Sequence, residues 1–285
     1  PLSVLSAGLW LSFSAVAVIL FTCQHRFPKP RWQWAKIHVF IAFGLTPLLL
    51  VFFLQLSFIA PIANIIAVPF ISLIIVPLLL LSIVLLCLYE PIGFLLLDFV
   101  DLILSLFWPF LNSMVSLPFS HWTSAQIPPP YLLPIVISII LLLAPKAIPG
   151  KYLAVFGLLP LFFYSPARPD NGEFWFTLLD VGQGLAGVVQ TRHHTLVFDS
   201  GPKFSDNFNT GTAIVLPFLQ SQGVEHIDSL IISHGDNDHI GGAIPLIEAM
   251  PVNTIITSDA NKLPKAIPCL ANHSWQWDHV KFRIF

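Results

Sequence analysis

The residues with most capacity for chemistry lie in one run, Ser233-His234-Gly235-Asp236-Asn237-Asp238-His239-Ile240-Gly241-Gly242. Four side chains of metal-ligand type, His234, Asp236, Asp238 and His239, crowd into six positions. Like charges so close, carboxylate on carboxylate above all, repel one another unless a cation sits among them. Half of these donors are carboxylates, so manganese and magnesium suit the set as well as zinc does. Four ligands in so short a run suit two ions better than one, and ions about 3.5–4 Å apart stabilise attack on a phosphodiester while acidifying a bound water. Gly241 and Gly242 let the backbone come close to whatever is bound.

Such a loop must be held by something rigid. The residues before it, Ser229 to Ser233, read as a buried strand too short for a helix. Upstream, 173–179, 185–191 and 194–198 read as strands, with a tight turn at Arg192-His193. The first strand ends in Asp180-Val181-Gly182-Gln183-Gly184 and the third in Asp199-Ser200-Gly201-Pro202. A polar loop with Asp206 and Asn207 follows. Residues 210–222 and 243–250 read as helices and 252–257 as a strand. This alternation predicts a layered α/β domain whose acidic residues gather at strand ends. Asp180 and Asp199 each serve equally as a turn residue before glycine or as a group steadying the ligands. Gln183 either contacts substrate or, the favoured reading, fills its turn. His193, His194, His273 and His279 lack such context and read as surface or turn residues.

The chain around this domain is of another kind. Of its 285 residues 55% are apolar and only 10% charged, against about 25% charged in soluble proteins. Residues 1–165 hold six Lys/Arg and three Asp/Glu, whereas 166–285 hold seven and twelve, a net charge of 7 − 12 = −5. A membrane region, 1–164, therefore precedes a linker, 165–172, and a soluble domain, 173–285. A spanning helix needs about 20 apolar residues. The candidates are 4–23, 37–60 with a kink at Pro47, 62–89, 131–143 and 152–164. Asn64 and Pro69 are expected to break 62–89 into a short entry piece and a span from Phe70. Asp98, Asp101, Ser105, Asn112 and Ser116 fall on one helical face. That face either lies among headgroups or lines a water-filled path. The basic loops Arg26 to Lys36 and Lys146 to Lys151 predict a cytoplasmic location for both, which places the soluble domain outside.

Cys23, Cys87 and Cys269 form no disulfide framework and no CxxC metal cage. A Ser-His-Asp signature and a Walker loop are likewise missing from these 285 residues. The start at Pro1 and the strand-like end, Lys281 to Phe285, are expected of an excerpt truncated at both ends.

The motif His234-x-Asp236-x-Asp238-His239 resembles the HxHxDH signature of the metallo-β-lactamase fold, departing from it at Asp236. Asp180-Val181-Gly182-Gln183-Gly184 and Phe198-Asp199-Ser200-Gly201 resemble elements of one branch, the ComEC family of DNA-uptake proteins. Ser6-Ala7-Gly8-Leu9-Trp10-Leu11-Ser12-Phe13 and Asn64-Ile65-Ile66-Ala67-Val68-Pro69 resemble that family's competence-domain signatures. Trp275-Gln276-Trp277 with Phe282 to Phe285 is similar to the late strand pair of its Gram-negative members. The resemblance implies a polytopic α-helical membrane domain followed by a C-terminally incomplete αββα metallo-β-lactamase-like domain. It implies a multi-pass inner-membrane channel admitting single-stranded DNA, with a periplasmic nuclease domain degrading the other strand. It further implies divalent metal, with His234 and Asp236 on one ion and Asp238 and His239 on a second, Asp238 orienting the metal-bound water. The implied partners are single-stranded DNA, double-stranded DNA receptor and uptake proteins, a cytoplasmic DNA-translocating ATPase or helicase, the lipid bilayer and further copies of the chain. Ligands that the family fold requires lie beyond Phe285, so these residues alone are expected to cut nothing. Two alternatives stand beside this: a membrane-anchored hydrolase of a small substrate, and a channel whose lactamase-like domain binds DNA without cutting it.

Overall fold

The structure, a computed structural model, describes residues 2–23, 33–144 and 148–285. The basic residues Arg26, Lys29, Arg31 and Lys146 lie outside the described residues. Two compact units are present: Pro1–Thr123 with Ile127–Phe163, and Ser124–Gln126 with Tyr164–Phe285.

The first unit is helical. Its helices are α1 (Ala7–Cys23), α2 (Gln33–Phe53), α3 (Ala60–Leu88), α4 (Glu90–Val115) and α5 (Pro129–Leu143). Among the described residues three stretches, Lys36–Phe53 of α2, α3 and α4, are long and apolar enough to cross a membrane. Their side chains face outward: Leu73 is 75% and Leu95 69% exposed. Water would penalise so much exposed hydrocarbon, and lipid would not.

Three expected spans differ from what is observed. The second ends at Phe53 rather than near residue 60, because Leu54 turns left-handed (φ 56). The chain then forms β1 (Gln55–Ser57), antiparallel to β2 (His121–Thr123), and Ser57 Oγ accepts the Ala60 N–H at the start of α3. The third is not broken at Asn64 and Pro69. Pro69 withholds one N–H, and the helix absorbs the defect in a π turn at Ile71–Ile75 while continuing to Leu88. The last, 152–164, is no α-helical span. It is a 3₁₀ segment, Lys151–Leu158, followed by α6 (Pro160–Phe163). Gly157 has poor helix propensity and Pro160 has no N–H for an α-type bond to Phe156. Lys151 does not stand free in its loop: it is buried, and its Nζ donates to the carbonyls of Leu142 and Ala144 at the end of α5.

The second unit is a layered α/β domain. Its sheet has the order β10-β9-β8-β5-β4-β3, from β3 (Trp175–Leu178), β4 (Gly187–Gln190), β5 (Thr195–Phe198), β8 (Ile227–Ile232), β9 (Val252–Thr257) and β10 (Ile267–Pro268). β3, β4 and β5 form an antiparallel meander; β5, β8, β9 and β10 run parallel. The polar loop expected around Asp206 is a small hairpin, β6 (Lys203–Ser205) with β7 (Phe208–Asn209). A π turn at Gly211–Val215 leads into α7 (Leu216–Ser221), the crossover to β8. α8 (Asn237–Ile240) and α9 (Ala243–Ala249) connect β8 to β9. Val188, Val197, Leu230 and Ile232 pack with Val215, Leu219 and Leu246. The other β8 register carries Ile231, which packs with Leu196, Ile256 and the aromatics of the hairpin β11 (Ser274–Trp277) and β12 (Val280–Arg283). Covering on both faces explains why 230–232 is an unbroken apolar run.

Candidate functional site

Parallel neighbours end at the same sheet edge, and this is what builds the site. Phe198 of β5 lies opposite Ile231 of β8, so Asp199 and Ser233 emerge side by side. Asp199 takes a left-handed φ of 58° and is fully buried, a conformation that Asp and Asn tolerate better than most residues. Its Oδ1 accepts the Ser233 backbone N–H at 2.7 Å. Its Oδ2 accepts the Ser233 hydroxyl at 2.7 Å and lies 2.6 Å from His239 Nδ1. A buried carboxylate with three donors around it is strongly anchored. With Nδ1–H given to Asp199, the His239 ring keeps an Nε2 lone pair turned to the site.

The remaining donors stand in pairs. His239 Nε2 lies 3.4 Å from Asp238 Oδ2, and His234 Nδ1 lies 3.5 Å from Asp236 Oδ2. The two imidazole centroids are 3.9 Å apart. His234, Asp236 and Asp238 are exposed. Among the described residues no three His, Cys, Asp or Glu side chains gather as a metal-binding group. The donor chemistry nonetheless fits a divalent cation: a neutral His239 that gives Nδ1–H to Asp199 turns an Nε2 lone pair to the Asp238 carboxylate, and a cation relieves two such facing acceptors.

Neighbouring loops hold this arrangement in place. The His239 carbonyl accepts both the backbone N–H and the hydroxyl of Ser200. The Leu185 N–H donates to the Asp238 carbonyl. Gly184, at φ 147°, allows that approach, since a Cβ there would meet the same carbonyl oxygen at 2.3 Å. Asn237 clamps the Lys203 backbone through two hydrogen bonds. The structure thus brings Asp199, His234, Asp236, Asp238 and His239 together and leaves Asp180 and Gln183 in their turn, the reading favoured for Gln183 and one of the two open for Asp180. Asp180 is exposed and accepts the N–H of Gly182, closing its own turn. Gln183 is exposed at the tip of that turn.

Sequence reasoning missed Ser258, Asp259 and Lys262 and took Ser233 for the end of a strand. Ser258 donates to the Ser233 carbonyl, and Lys262 Nζ donates to the Gly235 carbonyl at 2.9 Å. Neither belongs to a motif. The only signal was position, just after the end of β9 beside β8. His193 and His194 lie at the β4–β5 turn, as expected of surface or turn residues, and join it to a second turn: Asp278, between β11 and β12, accepts from Thr191 Oγ1 and the His193 N–H and lies 2.9 and 3.0 Å from the Nδ1 atoms of His193 and His194. In the helical unit Asp98, Asp101, Ser105 and Asn112 lie along α4, with Ser116 at its end, and all five are exposed.

Comparison with known proteins adds two family matches and three relatives. A family model described as Competence protein matches residues 1–149, and one described as Metallo-beta-lactamase superfamily matches residues 179–265. Competence protein ComA of Neisseria gonorrhoeae is 32% identical over 100% of this chain and 39% of its own length. Uncharacterized protein YcaI of Escherichia coli is 30% identical over 99% of this chain and 38% of its own, and ComE operon protein 3 of Bacillus subtilis 27% identical over 90% and 35%. The chain thus spans about two fifths of the length of these relatives.

Proposed function

The chain belongs to the competence protein family, and from that membership we propose that it forms part of an inner-membrane channel for transforming DNA, with its lactamase-like domain degrading the strand that is not imported. One observation carries the reading: apolar helices long enough to cross a membrane share a chain with a sheet edge where a buried Asp199 orients His239 within a His- and Asp-rich loop.

His234, Asp236, Asp238 and His239 are the residues that would hold divalent metal. Bound there, an ion would acidify a water molecule and offset charge building on a phosphodiester. The chain's own contribution is positional. Asp199 fixes the tautomer and orientation of His239, as a carboxylate does behind a metal-binding imidazole. Asp238, exposed and tied through its backbone to Leu185, accepts hydrogen bonds from water and orients it. In the helical unit the α4 stripe from Asp98 to Ser116 offers DNA a hydrated path, and Asp98 and Asp101 mark it as costly to place in lipid. The domain faces the periplasm in this reading, where a DNA receptor delivers duplex while a cytoplasmic ATPase or helicase draws in the single strand; self-association would complete the pore.

A second reading, in which the domain binds DNA without cutting it, draws on the pairwise rather than convergent placement of the four donors. One experiment separates the two. Full-length protein in nanodiscs is incubated with Mn²⁺ or Zn²⁺ and labelled DNA. Metal-dependent cleavage that disappears in Asp238→Ala plus His239→Ala supports the nuclease. Cleavage unchanged by the double substitution removes this site as its source.

A further inference from the structure

We propose that Lys262 is a substrate-binding residue that grips a phosphate of the DNA strand presented to the His234–His239 loop, an inference that rests on the nucleic-acid reading above. The difficulty it answers is electrostatic. DNA binding draws its strength from cations on phosphates, yet this domain carries seven Lys/Arg against twelve Asp/Glu. Three of its other six cations are committed elsewhere. Lys203 Nζ is held by Asp206 at 2.9 Å. Arg168 is directed to Thr195, and burial lowers its pKa despite Asp228 nearby. Arg283 bonds to Asn272.

Lys262 is ion-paired as well, and what distinguishes it is its place over the loop. Its Nζ reaches over the loop to donate to the Gly235 carbonyl at 2.9 Å, between His234 and Asp236, and lies 3.0 Å from Asp259 Oδ2. An ammonium has three hydrogens; these contacts occupy two, and with the side chain 51% exposed the third is open to a ligand. A lysine ammonium acts on phosphate as a compact point charge, so one fixed beside the four donors adds the positive charge that they lack. The loop leaves room for it. A Cβ at Gly235 would stand 2.5 Å from Lys262 Nζ and 2.7 Å from Asp259 Oδ2. Gly235 has no left-handed φ, and its missing Cβ leaves the space that the ammonium now fills.

The test measures binding of a fluorescent single-stranded oligonucleotide to full-length protein in nanodiscs, with EDTA present so that neither cleavage nor metal affinity enters. Each phosphate contact on a single strand contributes about 0.7 to the slope of log affinity against log salt. Lys262→Met is expected to reduce that slope by about 0.7 and to weaken binding about fivefold at 0.1 M salt. Gly235→Ala, which displaces the ammonium without deleting it, is expected to do the same. Lys262→Arg is expected to keep the slope, as is Lys281→Met, a matched loss of charge on β12. Wild-type slopes in both Lys262→Met and Gly235→Ala overturn the proposal. An absence of salt-dependent binding in the wild type instead overturns the nucleic-acid reading beneath it.

Discussion

Asp199→Asn isolates what the buried carboxylate does. The side chain keeps its shape, and asparagine accepts the left-handed φ of 58° as readily as aspartate. Oδ1 can still accept the Ser233 N–H. Where Oδ2 now accepts the Ser233 hydroxyl and faces His239 Nδ1, the variant places an NH₂ group. The serine hydroxyl can turn round and accept from it. The imidazole cannot do so without moving its hydrogen to Nε2. One charge-assisted bond is therefore lost, worth about 1.5–3 kcal/mol. That energy should appear locally, because the bond ties the end of β8 to the loop beyond it. At about 1.4 kcal/mol per tenfold, amide hydrogen exchange across 229–240 is expected to accelerate roughly 10- to 140-fold. The nitrogen chemical shifts of His239 should report the tautomer change, and metal affinity should fall about 10- to 100-fold. Wild-type exchange in 229–240 together with an unmoved His239 tautomer would refute the claim that Asp199 organises this edge.

Other predictions concern the rest of the molecule. Burial alone would raise the pKa of Asp278, but hydrogen bonds from Thr191, His194 and His193 outweigh it and hold the carboxyl well below its usual range. A depressed folded pKa stabilises above the unfolded value of about 3.9 and is lost as pH falls through the folded one. Fluorescence of Trp275 and Trp277 should therefore report loosening of the β11–β12 hairpin as pH drops below about 4, and Asp278→Asn should remove that dependence; the same acid transition in the variant would exclude Asp278 as its origin. Asp98→Ala plus Asp101→Ala is expected to reduce uptake of labelled DNA into cells, whereas undiminished uptake would assign the α4 stripe to interfacial packing.

The parts of this protein that were legible from sequence are those governed by local pattern. The run 230–232 signals a strand covered on both faces, and 252–257 coincides with β9 because its apolar residues and flanking turns leave few alternatives. The departures arise where a single backbone event outweighs composition. Leu54 ends α2 by turning left-handed, although nothing in Val51-Phe52-Phe53-Leu54 announces it. Pro69 looks like a helix breaker, yet a π turn costs less than ending a helix whose flanks are apolar on both sides. Residues 152–164 are apolar enough for a span, but Gly157 and Pro160 make the α-helical ladder poor there.

The site was legible in part for a related reason. His234 to His239 form a cluster visible along the chain, whereas Lys262 lies 27 residues from its partner carbonyl and Asp199 lies 34 from Ser233. Such partners meet only once strand order is known, and that order follows from crossover chemistry rather than from any motif. β5 and β8 are joined through α7, and β8 and β9 through α9, so the three strands run parallel and end on one edge. The residue after each strand end then falls at that edge: Asp199 after β5, Ser233 after β8 and Ser258 after β9. Two of these bond directly to Ser233, Asp199 from one side and Ser258 from the other. Ser233, which carries no metal-ligand chemistry, is consequently the hub through which three strands set the position of the loop. A polar residue just past a strand's last position, followed by a ligand cluster, is therefore better read as part of the site than as the end of the strand.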